Sequence, residues 1–193
     1  FASRLKAAKK LDKTVMGELP VLKLERAQFQ TSIRSDASNR TPLGVDAVEF
    51  TAATNPGAAF TAIQKTASGG ELSRFLLALK VALANDNPLP TLVFDEVDAG
   101  VGGATAEAVG KRLQRLAENV QVLVITHSPQ VAAKGADHLR VAKSEAGKGQ
   151  MKTTVTPLDD NERRLEVARM LAGDTVTPEA EAAAAALLGG GEV

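Results

Sequence analysis

The 193-residue chain contains no cysteine, no tryptophan and no tyrosine. Without thiols it can form no disulfide and can offer no thiolate to a metal, and it suits a reducing compartment. It also lacks an excess of either charge, since 23 basic side chains meet 23 acidic ones. A basic surface for nucleic acid is therefore not visible overall and would have to be a local patch. No apolar run approaches the roughly 18–20 residues of a membrane span, so no contact with a membrane is expected, and no secretory leader is expected either. What is present is a 44% hydrophobic content, enough to supply a core for one domain or for a large half of one. The first residue, Phe1, already lies inside a helical pattern, which leads us to expect a piece of something longer.

Phe1, Leu5, Ala8, Leu11, Val15 and Leu19 recur at steps of three and four, with Lys6, Lys9, Lys10 and Lys13 between them. This predicts an amphipathic helix ended by Pro20, of the kind found at the end of a coiled coil, its lysines forming a solvated face. Ala27, Phe29, Thr31 and Ile33 alternate with polar residues and predict a half-buried strand. A second strand through Val48 and Phe50 completes an antiparallel hairpin with a long loop, and Asn55-Pro56-Gly57 marks a turn. From Ser68 the period changes. Leu72, Leu76, Leu79 and Leu83 mark a helix; residues 91–95 form a strand, expected to be buried on both faces; Ala106, Val109, Leu113 and Leu116 mark another helix; Val120 to Ile125 form a further strand. Helix, strand, helix and strand at this spacing predict parallel strands joined by a crossover. His138–Lys143 and Met151–Val155 read as a strand pair around Gly147-Lys148-Gly149, followed by helices over residues 162–171 and 178–188.

Two strand ends carry chemistry. In open parallel sheets ligands bind beyond the carboxyl ends of the strands. Asp95 and Glu96 stand at one such end and Thr126-His127-Ser128 at the next. Taken singly, the acids could be a solvated strand end and His127 a cap for the helix begun by Ser128-Pro129; together they point to a site. Ser68 and Glu71 have capping-box spacing, yet a capping box does not require the Gly69-Gly70 pair inside it. Those glycines clear the backbone amides at a helix start, which is an anion site. The combination suggests a nucleoside triphosphate with Mg²⁺ on Asp95, directly or through water, Glu96 as general base for an attacking water, and His127 at the terminal phosphate. A G-x-x-x-x-G-K-[ST] phosphate loop is absent from the chain.

At these residues the sequence resembles the ABC-type ATPases. Ser68-Gly69-Gly70-Glu71 is similar to their signature, Leu92-Val93-Phe94-Asp95-Glu96 to the Walker B strand, Val97-Asp98 to the D-loop and Ile125-Thr126-His127 to the switch histidine, all in the family's order. Within that superfamily, Ala53-Thr54-Asn55-Pro56-Gly57, Ala67-Ser68-Gly69-Gly70-Glu71-Leu72-Ser73-Arg74, Phe94-Asp95-Glu96-Val97-Asp98-Ala99-Gly100-Val101, Thr126-His127-Ser128-Pro129-Gln130-Val131-Ala132 and Val167-Ala168-Arg169-Met170-Leu171-Ala172-Gly173 resemble the SMC-like RecN family of bacterial DNA repair proteins, from about Glu18 to Leu188. The position before Ser68, usually Leu in that signature, is Ala67 here.

The resemblance implies an α/β fold: the C-terminal lobe of an ABC/SMC-type ATPase head, a mainly parallel sheet flanked by helices, with an antiparallel hairpin. It implies residues 1–19 as the root of a coiled-coil arm and residues 20–193 as the head half. It further implies ATP and Mg²⁺ as ligands, an N-terminal half of the same head carrying the Walker A loop, and a second head. Ser68, Gly69 and Gly70, with Glu71 in the same signature, would meet ATP held by that second head, and Asp98 would lie at the seam. The full-length protein would hydrolyse ATP, act on DNA at double-strand breaks and in recombination, and work in the bacterial cytoplasm at the nucleoid; this half alone is expected not to turn over ATP. Two other assignments share the motifs: the head of a chromosome-organising SMC protein or a transporter subunit, and a non-catalytic interaction module. The arm-like first helix argues against the transporter, and the presence of both Glu96 and His127 argues against lost turnover.

Overall fold

The computed structural model describes all residues except 39, 43, 67, 68, 84–90, 146–149, 174 and 190–193. The chain divides into two compact units, Phe1–Ile125 and Thr126–Val193.

The first unit opens with helix α1 (Ala2–Glu18), which buries Ala8 and Val15 and leaves Phe1 and Leu5 exposed. It lies against strand β1 (Gln28–Ser35), which pairs antiparallel with β2 (Asp46–Ala53) from Gln28↔Ala53 to Ser35↔Asp46. The hairpin is therefore as the alternation predicts. Asp12 ties the helix to the sheet by accepting from the Thr31 backbone N–H at 2.8 Å and from its hydroxyl at 2.7 Å. A second tie runs from Arg4 to Asp46, and its bond holds the Asp46 carboxyl below the usual range. Phe29 and Phe50 pack diagonally across the hairpin, ring centroids 5.7 Å apart. A short third strand, β3 (Thr61–Ala62), adds to β2 and was not foreseen in the sequence.

Helices α2 (Ile63–Thr66) and α3 (Gly69–Leu83) follow. The leucines mark the helix as expected, but of the four only Leu79 is buried: Leu76 and Leu83 are exposed, and Arg74, Phe75, Leu77 and Ala78 complete the buried side. A helix this apolar has two candidate stripes, and packing chose the one containing the larger Phe75.

Strands β4 (Thr91–Asp95) and β5 (Gln121–Ile125) are parallel, in register from Thr91↔Gln121 to Asp95↔Ile125, and joined through α4 (Gly103–Ala117). The expected stripe Ala106, Val109, Leu113 and Leu116 is the buried face of α4. The parallel part of the expected sheet is this pair; the other pairings among the described residues are antiparallel. Nor is β4 buried on both faces. Leu92 and Phe94 are inside, whereas Val93 is 58% exposed, beside Leu123 at 45% and Ile125 at 53% on the same face of the pair. An apolar run shows that both faces of a strand suit a core, but not that both are covered.

The second unit contains α5 (Pro129–Ala132), the antiparallel pair β6 (Leu139–Glu145) and β7 (Met151–Pro157), α6 (Asp160–Ala172) and α7 (Pro178–Gly189). The expected turn at Gly147-Lys148-Gly149 lies outside the described residues. A capping box starts α6: Asp159 accepts from the Glu162 N–H at 2.8 Å and Glu162 returns the bond at 3.0 Å. Arg163 donates to the carbonyls of Ala133 and Ala136, each at 3.1 Å, and of Gly135, fixing α6 to the end of α5. Val167, Ala168 and Ala184 form the small core between α6 and α7.

Candidate functional site

Strand β4 hands its chain to a tight turn. The ladder runs one residue past Asp95, where the Glu96 N–H donates to the Ile125 carbonyl at 3.0 Å. Glu96 then adopts a left-handed φ of 48°, a conformation that costs an L-residue roughly 1–2 kcal/mol. The turn closes when Ala99 N–H donates to the Glu96 carbonyl at 2.9 Å and Val101 N–H to the Asp98 carbonyl at 3.2 Å. Gly100, at φ 74°, makes the step between them that few side-chain-bearing residues accept.

Burial of Val97 drives the bend and separates the three carboxylates. Asp95 and Glu96 are exposed, side by side at the strand end; Asp98 is turned inward and only 1% exposed. Among the described residues neither Asp95 nor Glu96 has an ion-pair partner, and no cluster of three or more His, Cys, Asp or Glu side chains could hold a metal. Two adjacent open carboxylates without a protein cage match Mg²⁺, which keeps several waters and takes one or two carboxylates plus phosphate oxygens.

The start of α3 is braced against this turn. A Cβ on Gly70 would stand 2.3 Å from the Ala99 carbonyl oxygen, so only glycine lets the two backbones meet. Gly69 has no other described part of the chain within 4 Å of its Cβ position, its own helix and chain neighbours aside. The two glycines, read alike in the sequence, thus differ: Gly70 is needed for packing, and Gly69 leaves open space at the helix start. Glu71 is half-buried beside them, and Ser68 lies outside the described residues.

Asp95, Glu96, Asp98, Gly69, Gly70 and Glu71 accordingly belong to one unit, in which the turn and the helix start touch. His127 opens the second unit, two residues after β5, and is exposed. It does not cap α5. Ser128 holds the N-cap position, its N–H bonded to Thr126 Oγ1 and its hydroxyl to Gln130 Oε1, both at 2.9 Å. Sequence reasoning met Arg74 only as the last residue of the RecN-like stretch that begins at Ala67 and gave it no role; it is buried four residues beyond Gly70, and the i,i+4 spacing was the available signal.

A family model described as "RecF/RecN/SMC N terminal domain" matches residues 12–150. DNA repair protein RecN of Rickettsia bellii (strain RML369-C) is 45% identical over 185 residues, covering 96% of this chain and 33% of that protein. RecN of Vibrio cholerae serotype O1 is 45% identical over 186 residues, with the same coverage. The chain spans about a third of the length of the curated relatives it matches. Among solved structures, the Smc head domain of Pyrococcus yayanosii, with its coiled coil and joint, superimposes with a TM-score of 0.62 at 19% identity, covering 84% of this chain and 29% of that one. A chain from a study of ATP-driven dimerisation and DNA-stimulated activation of SMC ATPases gives 0.57 at 18% identity, covering 90% of this chain and 99% of that one. The fold is that of SMC head domains, a mixture of helices and sheets.

Proposed function

The chain belongs to the RecF/RecN/SMC N-terminal domain family, and from that premise we propose that it is the C-terminal half of the ATP-binding and hydrolysing head of a RecN-like protein that repairs DNA double-strand breaks and takes part in recombination. One observation carries the reading: Asp95 and Glu96 stand open at the carboxyl end of a parallel strand, on a turn braced by Gly70 against the start of α3.

In this reading Asp95 holds Mg²⁺, directly or through water. The ion, when bound, offsets the charge of the phosphates. Glu96 accepts the proton of the attacking water, and its left-handed backbone and main-chain bond to β5 set the direction in which its side chain starts. His127 acts at the terminal phosphate. Gly69, with Ser68 and Glu71, presents the first amides of α3 to ATP held by a second copy of the head, and Asp98 lies at the seam between the two heads. Helix α1 is the root of a coiled-coil arm, whose movement with the ATP cycle acts on DNA in the bacterial cytoplasm. The phosphate loop comes from an N-terminal half of the same head. Its absence from these 193 residues supports that partner, as does the apolar face of β4–β5 formed by Val93, Leu123 and Ile125. The 45% identity to RecN proteins favours repair over chromosome organisation.

The test is Glu96→Gln in the full-length protein. Hydrolysis should fall by about 10²–10⁴-fold while ATP binding persists, and ATP-bound head dimers should accumulate in sedimentation. Turnover within about threefold of the unaltered protein, far short of the general-base range, would remove Glu96 from the mechanism.

A further inference from the structure

Arg74 is an unexpected charge in the interior of the first unit. It lies in α3 four residues after Gly70, on the same helix face, and is 8% exposed. Helix side chains lean toward the N-terminus, which carries the guanidinium back toward Gly70. Its Nη1 is 3.4 Å from the point where a Cβ on Gly70 would stand, and the Ala99 carbonyl oxygen is 2.3 Å from the same point. The guanidinium and the turn after β4 therefore crowd one small space, which exists only because residue 70 has no side chain.

The arrangement is costly for a cation. Burial pushes the Arg74 pKa down, and Glu71 three residues earlier only partly opposes it. The buried Nε has no hydrogen-bond partner among the described residues. A leucine or methionine would fill such a space without desolvating a charge. A rigid planar fork of N–H donors, however, can fix main-chain geometry in a way an apolar side chain cannot. The main chain beside it is the Glu96–Ala99 turn, which sets the direction in which the Glu96 side chain leaves the backbone.

We propose that Arg74 is a positioning residue: a buried strut that holds the Glu96–Ala99 turn against the first turn of α3, keeping the Glu96 carboxylate and the α3 glycines at a fixed spacing. Its catalytic consequence rests on the reading of Glu96 as general base; its structural consequence does not. A small displacement of such a group is enough to slow chemistry strongly.

The experiment uses the full-length protein with Arg74→Lys, which keeps the cation and loses the fork, and Arg74→Met, which keeps the stem and loses the charge. Amide hydrogen exchange is followed over residues 96–101, with residues 106–116 of α4 as internal reference, beside kcat and KM for ATP. In both variants exchange over 96–101 should rise by about tenfold with 106–116 unchanged, as for a local opening. The value of kcat should fall by about 10- to 100-fold, with KM within about threefold. Unaltered exchange and kcat in Arg74→Lys would overturn the strut, as would a rise of exchange through both segments, which marks a general packing role. Glu96→Gln serves as the control. If it leaves kcat intact, the reading of Glu96 as general base fails, and the exchange data alone decide for or against the strut.

Discussion

The hairpin β1–β2 and the parallel pair β4–β5 are both built from strands with one buried side, yet their other sides differ. Along β1 the exposed residues are Gln28, Gln30, Arg34 and Ser35, which water suits. Along β4–β5 they include Val93, Leu123 and Ile125, and on that same face the run ends at Asp95. The hairpin is closed by α1 and its polar ties at Asp12 and Arg4. The parallel pair is covered on the side of Leu92 and Phe94, where Lys80 of α3 lies 5.6 Å from the Phe94 ring centroid. The parallel pair thus leaves three large apolar side chains open next to the candidate site, where the hairpin leaves Val48.

The comparison can be broken or sharpened by substitution. The largest effect is expected in the hairpin. Phe29→Ala removes a buried ring that packs on Phe50 and should destabilise the chain by about 3–5 kcal/mol in chemical denaturation. Next comes Gly70→Ala, whose methyl would meet the Ala99 carbonyl; overpacking of that kind costs about 1–3 kcal/mol, and its exchange signature should be confined to residues 96–101. A cost near zero would mean that the α3 start and the turn do not depend on each other. The smallest effect in this chain belongs to Leu123→Thr on the open face, within about 0.5 kcal/mol. The same substitution in the full-length protein should cost about 1–2 kcal/mol, because a leucine covered by a partner surface loses its burial. Equal values in the two settings would show that nothing covers the face, and would remove one support for the N-terminal half as its occupant.

Much of the architecture was legible beforehand where one periodicity had one meaning. Ala106, Val109, Leu113 and Leu116 allow a single amphipathic face, and that face is buried. Alternation from Ala27 to Ile33 likewise set the hairpin. The reading stopped where composition left two options. The leucine spacing located helix α3 but did not say which side is buried, because a helix this apolar offers more than one stripe to a core. The two-residue β3 is too short to carry a pattern.

For the site, local sequence determined that two acids end a strand, that two glycines open a helix and that a histidine follows the neighbouring strand, because these are facts of adjacency and period. Tertiary structure alone decided that Asp95 and Glu96 are open while Asp98 is buried, since the burial of Val97 bends the chain between them. It alone decided that Gly70 is a contact and Gly69 a space, and that Arg74 points its charge into the interior. Each of these depends on which backbone arrives opposite a residue. That partner lies some 29 positions away, at Ala99 for Gly70, and short-range periodicity carries no information about it.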